Sequence, residues 1–533
     1  MRNRFASLFP AVCIAVVLFS CHQADVVIDI KTESSFPGSV HKLDVNNAGY
    51  GLTRLEGLSA GDDIYLVKVK NNRIRWNRSM ANSDGEQERE EGQSLAEVVT
   101  TETGETFLRY ERHWQVTPPL ENTQSRNRMR ASVGTQVGDK RSFFVDISSG
   151  TAFTLKTATL KKIGTYCKVW VVDGYEVGAG AVTALAEKFD EIYPLETNLL
   201  GYEYGGGPGG NGGMDGDPKV QILLFDIDGD GGGFFGSATY GYFYPGDEFE
   251  RGETYPCSNE AEIFYLDSVI LQTKPKAIYS TLIHEFNHMI NFNLKVLQGG
   301  EYLSWNTEVW YTEMLSMLAE DVIGPLVGIV PNDPNELNGN QNHVINVRIP
   351  DWIRQYADVS VMYWPSSGNT LPYYSSNYAF GAYLVRNFGG PALFSAIAKS
   401  KASGRGSLDG SLRKFNGVGI DTYYAMSRFG EALLYSDDKV PEGCYTFDKE
   451  ITGLVGGETY TFPAFDIWSD AFNPPGPLIR KFAEMSGYAP DNTVQLYQDS
   501  GWTEEIQASG GLTIRLLNVE TDAEYYILTK PKD

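Results

Sequence analysis

At 533 residues the chain is too long for one hydrophobic core and predicts about two to four domains. Hydrophobic residues make up 42% and aromatic residues 13%, which excludes a disordered polymer, and 56 glycines with 31 tyrosines favour β-rich modules with many turns. Forty-four basic against 68 acidic side chains give a net charge of -24, which excludes nucleic acid and anionic membrane surfaces as partners.

The N-terminus reads as an export signal. Arg2 and Arg4 precede an almost wholly apolar run from Phe5 to Phe19, followed by Ser20 and Cys21. A run of about 15 residues is short for a membrane span and fits a cleaved signal over 1–21. Leu18-Phe19-Ser20-Cys21 resembles a bacterial lipobox. That resemblance implies a lipidated Cys21 at the mature N-terminus, a cell-envelope lipoprotein, and membrane contact only through the lipid; secretion after cleavage nearby is the alternative. Beyond Cys21 the chain holds Cys167, Cys257 and Cys444, an odd number with no metal-site spacing, so at most one disulfide and one free thiol are expected.

Residues 22–160 read as a β-rich N-terminal module. Alternating runs at 63–70 and 142–147 predict strands, and the polar, acidic stretch 79–97 predicts an exposed loop. Ser59 sits in a Gly-x-Ser-x-Gly pattern. A serine nucleophile needs a strand-to-helix elbow there, whereas a strand follows, which excludes it. The phrase 56–65 is echoed at 452–460, a hint of related β-modules at the two ends.

From 161 the pattern changes to alternating strand and helix: strands at 166–172, 219–225 and 261–266, and a helix over 179–193. The glycine-rich stretch 205–216 lacks the lysine and hydroxyl residue of a phosphate loop, which excludes nucleotide binding there. Asp226, Asp228 and Asp230 copy the opening of a calcium loop. Ser237 stands where its closing glutamate belongs, so calcium is a secondary expectation beside a simple polar turn.

The chemistry is concentrated in Thr281–Phe292, which contains His284-Glu285-x-x-His288. Positions i and i+4 share one face of a helix, so both imidazoles can reach one zinc ion with Glu285 beside it as general base. Pro275 suits the first turn, and Ile278, Leu282, Ile283, Phe286, Met289 and Ile290 supply apolar positions at helical spacing. A third ligand has to come from elsewhere. Glu313, on a second predicted helix over 310–321, is the choice, with Glu308 as its rival.

These two helices together resemble the gluzincins, and in detail the hyicolysin-type bacterial zinc metallopeptidases. The likeness rests on the His-Glu-x-x-His helix ending in Met-Ile-Asn-Phe, and on the Trp310-x-x-Glu313-x-Leu-Ser316-x-x-Ala-Glu320-Asp321 helix. Flanking phrases at 185–194, 258–262 and 378–383 extend it over roughly 142–435. Two residues depart from the pattern: Met314 replaces the glycine after the ligand glutamate, and Met317 replaces an aspartate that supports a ligand histidine. Glu320 lies on the same face two turns beyond Glu313 and could substitute, though solvating the helix end is the role expected of it. Tyr378 is the candidate oxyanion donor, with packing as its bland alternative, and His343 is a weaker one.

Helical patterns follow at 380–388, 393–399 and 423–434, before short strands return from 440 and at 525–528. The expected architecture is multidomain α+β. A zincin-like catalytic domain over 161–437, a mixed sheet with the metal-binding helix and then a helical subdomain, is flanked by β-rich modules at 22–160 and 438–533. The expected function is zinc-dependent hydrolysis of protein or peptide substrates outside the cytoplasm. The rival is a surface lipoprotein that binds a host or matrix partner around a vestigial or structural zinc site. Glu285 speaks against it, because a structural site needs no base.

Overall fold

The computed structural model describes residues 31–35, 37–59, 61–71, 114–119, 135–146, 153–229, 239–333, 342–366, 368–437, 441–472 and 475–531. Cys21 with the expected signal over 1–21, the acidic stretch 79–97, Asp230 and the side chain of Asp228 lie outside them, and the calcium-loop expectation largely falls there. In chain order the strands are β1 (Lys31–Ser34), β2 (Val40–Leu43), β3 (Gly51–Glu56), β4 (Asp62–Lys70), β5 (Lys140–Asp146), β6 (Phe153–Ile163), β7 (Cys167–Val172), β8 (Val220–Phe225), β9 (Gly241–Phe243), β10 (Ile263–Asp267), β11 (Ile451–Val455), β12 (Glu458–Phe462), β13 (Ile479–Lys481), β14 (Thr493–Gln498), β15 (Gly511–Leu516) and β16 (Glu524–Pro531).

A six-stranded mixed sheet, ordered β5-β6-β7-β8-β10-β9, carries the site. β7, β8 and β10 run parallel at its centre, with antiparallel pairing at both margins. The three central strands read CKVWVV, VQILLF and IFYLD and are buried at every position. Near-continuous apolar strands of this kind are covered on both faces. Alternate residues serve different cores, as the two-residue period of a strand requires. Val169, Val171, Ile222, Leu224, Phe264 and Leu266 face the helices. Trp170, Val172, Leu223, Phe225, Ile263 and Tyr265 join Phe143 and Tyr242 on the other side.

Helix Ala179–Leu200 covers the first face and continues past the expected end at Tyr193, through Pro194. The histidine helix, Pro275–Phe292, begins with proline in its first turn, where the missing N–H leaves no bond unmade. From Ser280 to Phe292 every residue is buried. Phe286 holds this helix against Ala179–Leu200, its ring 5.1 Å from that of Phe189 and 5.3 Å from that of Tyr193. The glutamate helix, Val309–Ile323, is buried along its whole length between the histidine helix and helix Leu371–Phe388. Met314 fits because Gly381 opposite has no side chain: a Cβ at Gly381 would lie 2.7 Å from Met314 Cγ.

The two ends of the chain do not form separate modules, which corrects the expected division at 22–160 and 438–533. Their strands interleave in a three-stranded sheet, β1-β3-β15, and a five-stranded sheet, β13-β14-β4-β16-β2. Between the sheets lies a core that includes Leu55, Leu66, Trp502, Ile514 and Ile527. β5 and β6, also expected in the N-terminal module, pair with the central sheet instead. Alternation marks a strand but not its partner, and β4 pairs with β16 across most of the sequence. The echoed phrases are unrelated in structure. 56–65 passes from β3 in one sheet to β4 in the other, whereas 452–460 is the hairpin β11–β12, turning at Gly456 and Gly457 with φ of 58° and 95°. Cys167, Cys257 and Cys444 are all free thiols, so the one disulfide that the sequence allowed among them is not formed.

Candidate metal centre

One turn separates His284 from His288 on the histidine helix, and their ring centroids lie 4.8 Å apart. The glutamate helix crosses in front of them and delivers Glu313. Its Oε2 lies 3.2 Å from His284 Nε2 and 3.6 Å from His288 Nε2. One ligand atom from each of the three falls within 4.8 Å of the others. The side chains of His284 and Glu313 are 0% and 2% exposed and that of His288 is 8%, so the small opening to solvent is on the His288 side. Glu285 follows His284 on the helix and is buried.

Glu320 corrects a sequence expectation. It does not solvate the helix end: it is 2% exposed, and its Oε1 lies 2.6 Å from His284 Nδ1 while Oε2 accepts from Ser280 Oγ. A carboxylate only accepts, so Nδ1 carries the proton and Nε2 turns its lone pair toward Glu313. Beside Glu320, Asp321 pairs with Arg386 at 2.9 and 3.1 Å, both side chains fully buried. Tyr378 belongs to this cluster. Its hydroxyl donates to Asp321 Oδ2 at 3.0 Å and the residue is 0% exposed, so the oxyanion expectation is corrected to a packing role. His343 is not at the site either; it caps helix Val344–Gln355 by accepting from Ile345 N at 3.3 Å.

Glu308, the rival ligand, precedes the glutamate helix with its carboxyl against Gly404 and is not among the residues that converge with the imidazoles. Ser59 lies in an exposed turn, as expected of a residue without a catalytic role. Sequence reasoning missed Asp321, Arg386 and Glu196. Glu196 is fully buried on helix Ala179–Leu200 and lies near enough to His284 to feel its charge; burial holds its carboxyl well above the usual range. The adjacent acids Glu320 and Asp321 in an otherwise apolar helix were the available signal for the buried network.

A model of the peptidase M30 family matches residues 147–430. The chain belongs to the peptidase M30 family. A relative is the neutral metalloprotease ShpI of Staphylococcus hyicus, 29% identical over 355 residues, which cover 63% of this chain and 70% of that protein. As an M30 peptidase the chain is a zinc metallopeptidase, a hydrolase of peptide or protein substrates. Among the described residues no helix is long and apolar enough to cross a membrane.

The donor set of this M30 peptidase fits a zinc ion. Bonds of about 2.0–2.1 Å in a tetrahedral shell put neighbouring ligand atoms about 3.3 Å apart, between the two separations at Glu313. An imidazole lone pair facing a carboxylate oxygen at 3.2 Å is repulsive unless a cation or proton lies between them. Nitrogen and carboxylate ligands with the histidine backed by a second carboxylate suit zinc in particular.

Proposed function

We propose that the chain is an exported metalloendopeptidase in which His284, His288 and Glu313 hold one zinc ion and Glu285 moves the protons of peptide hydrolysis. The observation that carries this reading is the approach of Glu313 Oε2 to both imidazole Nε2 atoms, with His284 Nδ1 tied back to Glu320. Zinc, when bound, supplies a Lewis acid that polarises the scissile carbonyl and lowers the pKa of water to about 7.

The chain's own groups do the rest. Glu320 fixes the tautomer and orientation of His284 and makes Nε2 more basic. Glu285 takes a proton from the attacking water as its oxygen adds to the carbonyl carbon. As the C–N bond breaks, Glu285 returns that proton to the leaving nitrogen, so that the amine departs neutral. The proposed catalytic unit is zincin-like, and the mixed sheet, the buried histidine helix and the helices after it support that reading. Export and lipidation at Cys21 belong to the proposal on the strength of residues 2–21 alone.

Incubation with unfolded casein tests the activity. Cleavage should stop when a zinc chelator is added and return with zinc, and elemental analysis should find about one zinc per chain. Cleavage indifferent to the chelator would overturn the assignment.

A further inference from the structure

We propose that Glu248 and Glu262, beneath the glycine-rich stretch 205–216, form a structural calcium site separate from the zinc centre. Glu248 ends the turn Pro245–Glu248 after β9, and Glu262 immediately precedes β10. Because β9 and β10 pair antiparallel, the turn after one lies beside the start of the other, and Ala261 N donates to Asp247 O at 3.1 Å. The two carboxyls lie close enough that the charge of Glu248 presses on Glu262.

Both are 3% exposed. Neither oxygen of Glu248, nor Oε2 of Glu262, has a hydrogen-bond partner among the described residues. Glu262 Oε1 accepts from Met214 N at 2.7 Å. The charges that press on Glu248 are those of Asp247, Glu203 and Asp215, all acidic. Two buried carboxylates cannot both stay ionised in this setting without a cation, and unpartnered buried oxygens carry a full desolvation cost.

The glycines explain the loop. A Cβ at Gly213 would sit 2.0 Å from Glu262 Oε1, and one at Gly206 would sit 2.3 Å from Glu203 Oε1. The loop backbone therefore lies directly on the carboxyls, where its carbonyl oxygens can complete a shell. An all-oxygen donor set of irregular geometry selects calcium over zinc, and over magnesium with its strict octahedron. The alternative that the same geometry allows is a carboxyl pair sharing one proton. The site is distinct from Asp226 and Asp228, which lie beyond the other end of β8.

The test uses the full-length protein with its zinc retained, freed of calcium by passage through calcium-free buffer and titrated with calcium chloride alone by equilibrium dialysis. Wild type should bind calcium and gain Tm at pH 8. Glu248→Gln should bind it at least about tenfold more weakly while keeping its zinc, and Asp226→Asn with Asp228→Asn should bind like wild type. Should Glu248→Gln fail to fold, Glu262→Gln in the Tm assay takes its place. A wild type that binds no calcium, leaving only a shared proton, overturns the proposal. So do undiminished binding by Glu248→Gln and loss of binding through the two aspartates. Zinc content, measured on the same samples, separates these outcomes from any failure of the catalytic assignment.

Discussion

Among single residues, Glu320 has the largest consequence for the candidate ligands, because its carboxylate 2.6 Å from His284 Nδ1 sets which imidazole nitrogen faces Glu313. His284, Glu285 and His288 announce themselves by spacing, and Glu313 by its place in a second apolar helix. Sequence assigns Glu320 to solvent because a helix considered alone gives a terminal acid to water, whereas this one is packed on every side. Tyr378 stays open between oxyanion donor and packing for a related reason: 31 tyrosines offer many hydroxyls, and only the fold shows this one bonded to Asp321. The Glu320 contact has a measurable consequence. Removing the charge that orients a ligand histidine costs about 10- to 100-fold in metal affinity. Glu320→Gln should lose zinc to a chromophoric chelator about that much more readily, with its helix content unchanged. Equal zinc affinity would show that His284 does not depend on Glu320.

At the scale of elements, Met314 and Gly381 show how a departure from the family pattern is absorbed. The methionine stands where the hyicolysin-type pattern expects glycine, and Gly381 on the facing helix leaves the space it fills. Helical periodicity placed both residues in helices but could not reveal that they meet. Overpacking a close helix contact costs about 1–3 kcal/mol. Gly381→Ala should therefore lower stability in urea by about that amount, and Met314→Ala in the same chain should recover most of it. Additive effects in this double-mutant cycle would mean that the two residues are not in contact.

In the whole molecule, β7, β8 and β10 and the histidine and glutamate helices were foreseeable from local periods, whereas β9 and helix Val344–Gln355 were not. Nor was the closure of the terminal strands. β4 is held on one side by β14 and on the other by β16, and the far face of their sheet places Val67 and Leu496 in the main core. Gly430 of helix Thr422–Leu434 sits so close that a Cβ there would lie 2.6 Å from Val67 Cγ1. The C-terminal strand is thus part of what supports the helices behind the site. Ending the chain at Thr521 deletes β16 and should leave a protein with a sharply lower Tm. A truncated chain with the Tm of the full-length protein would contradict the shared sheet.

In the proposed mechanism one glutamate beside the histidines moves protons while another holds the metal. Zinc content and casein cleavage measured together in Glu285→Gln separate the two roles. A base exchanged for its amide leaves the three ligands intact and lowers the rate by at least about a hundredfold. Glu285→Gln should hold about one zinc per chain, as in wild type, and show that loss of activity. Zinc-replete Glu285→Gln protein that cleaves casein at the wild-type rate would contradict it.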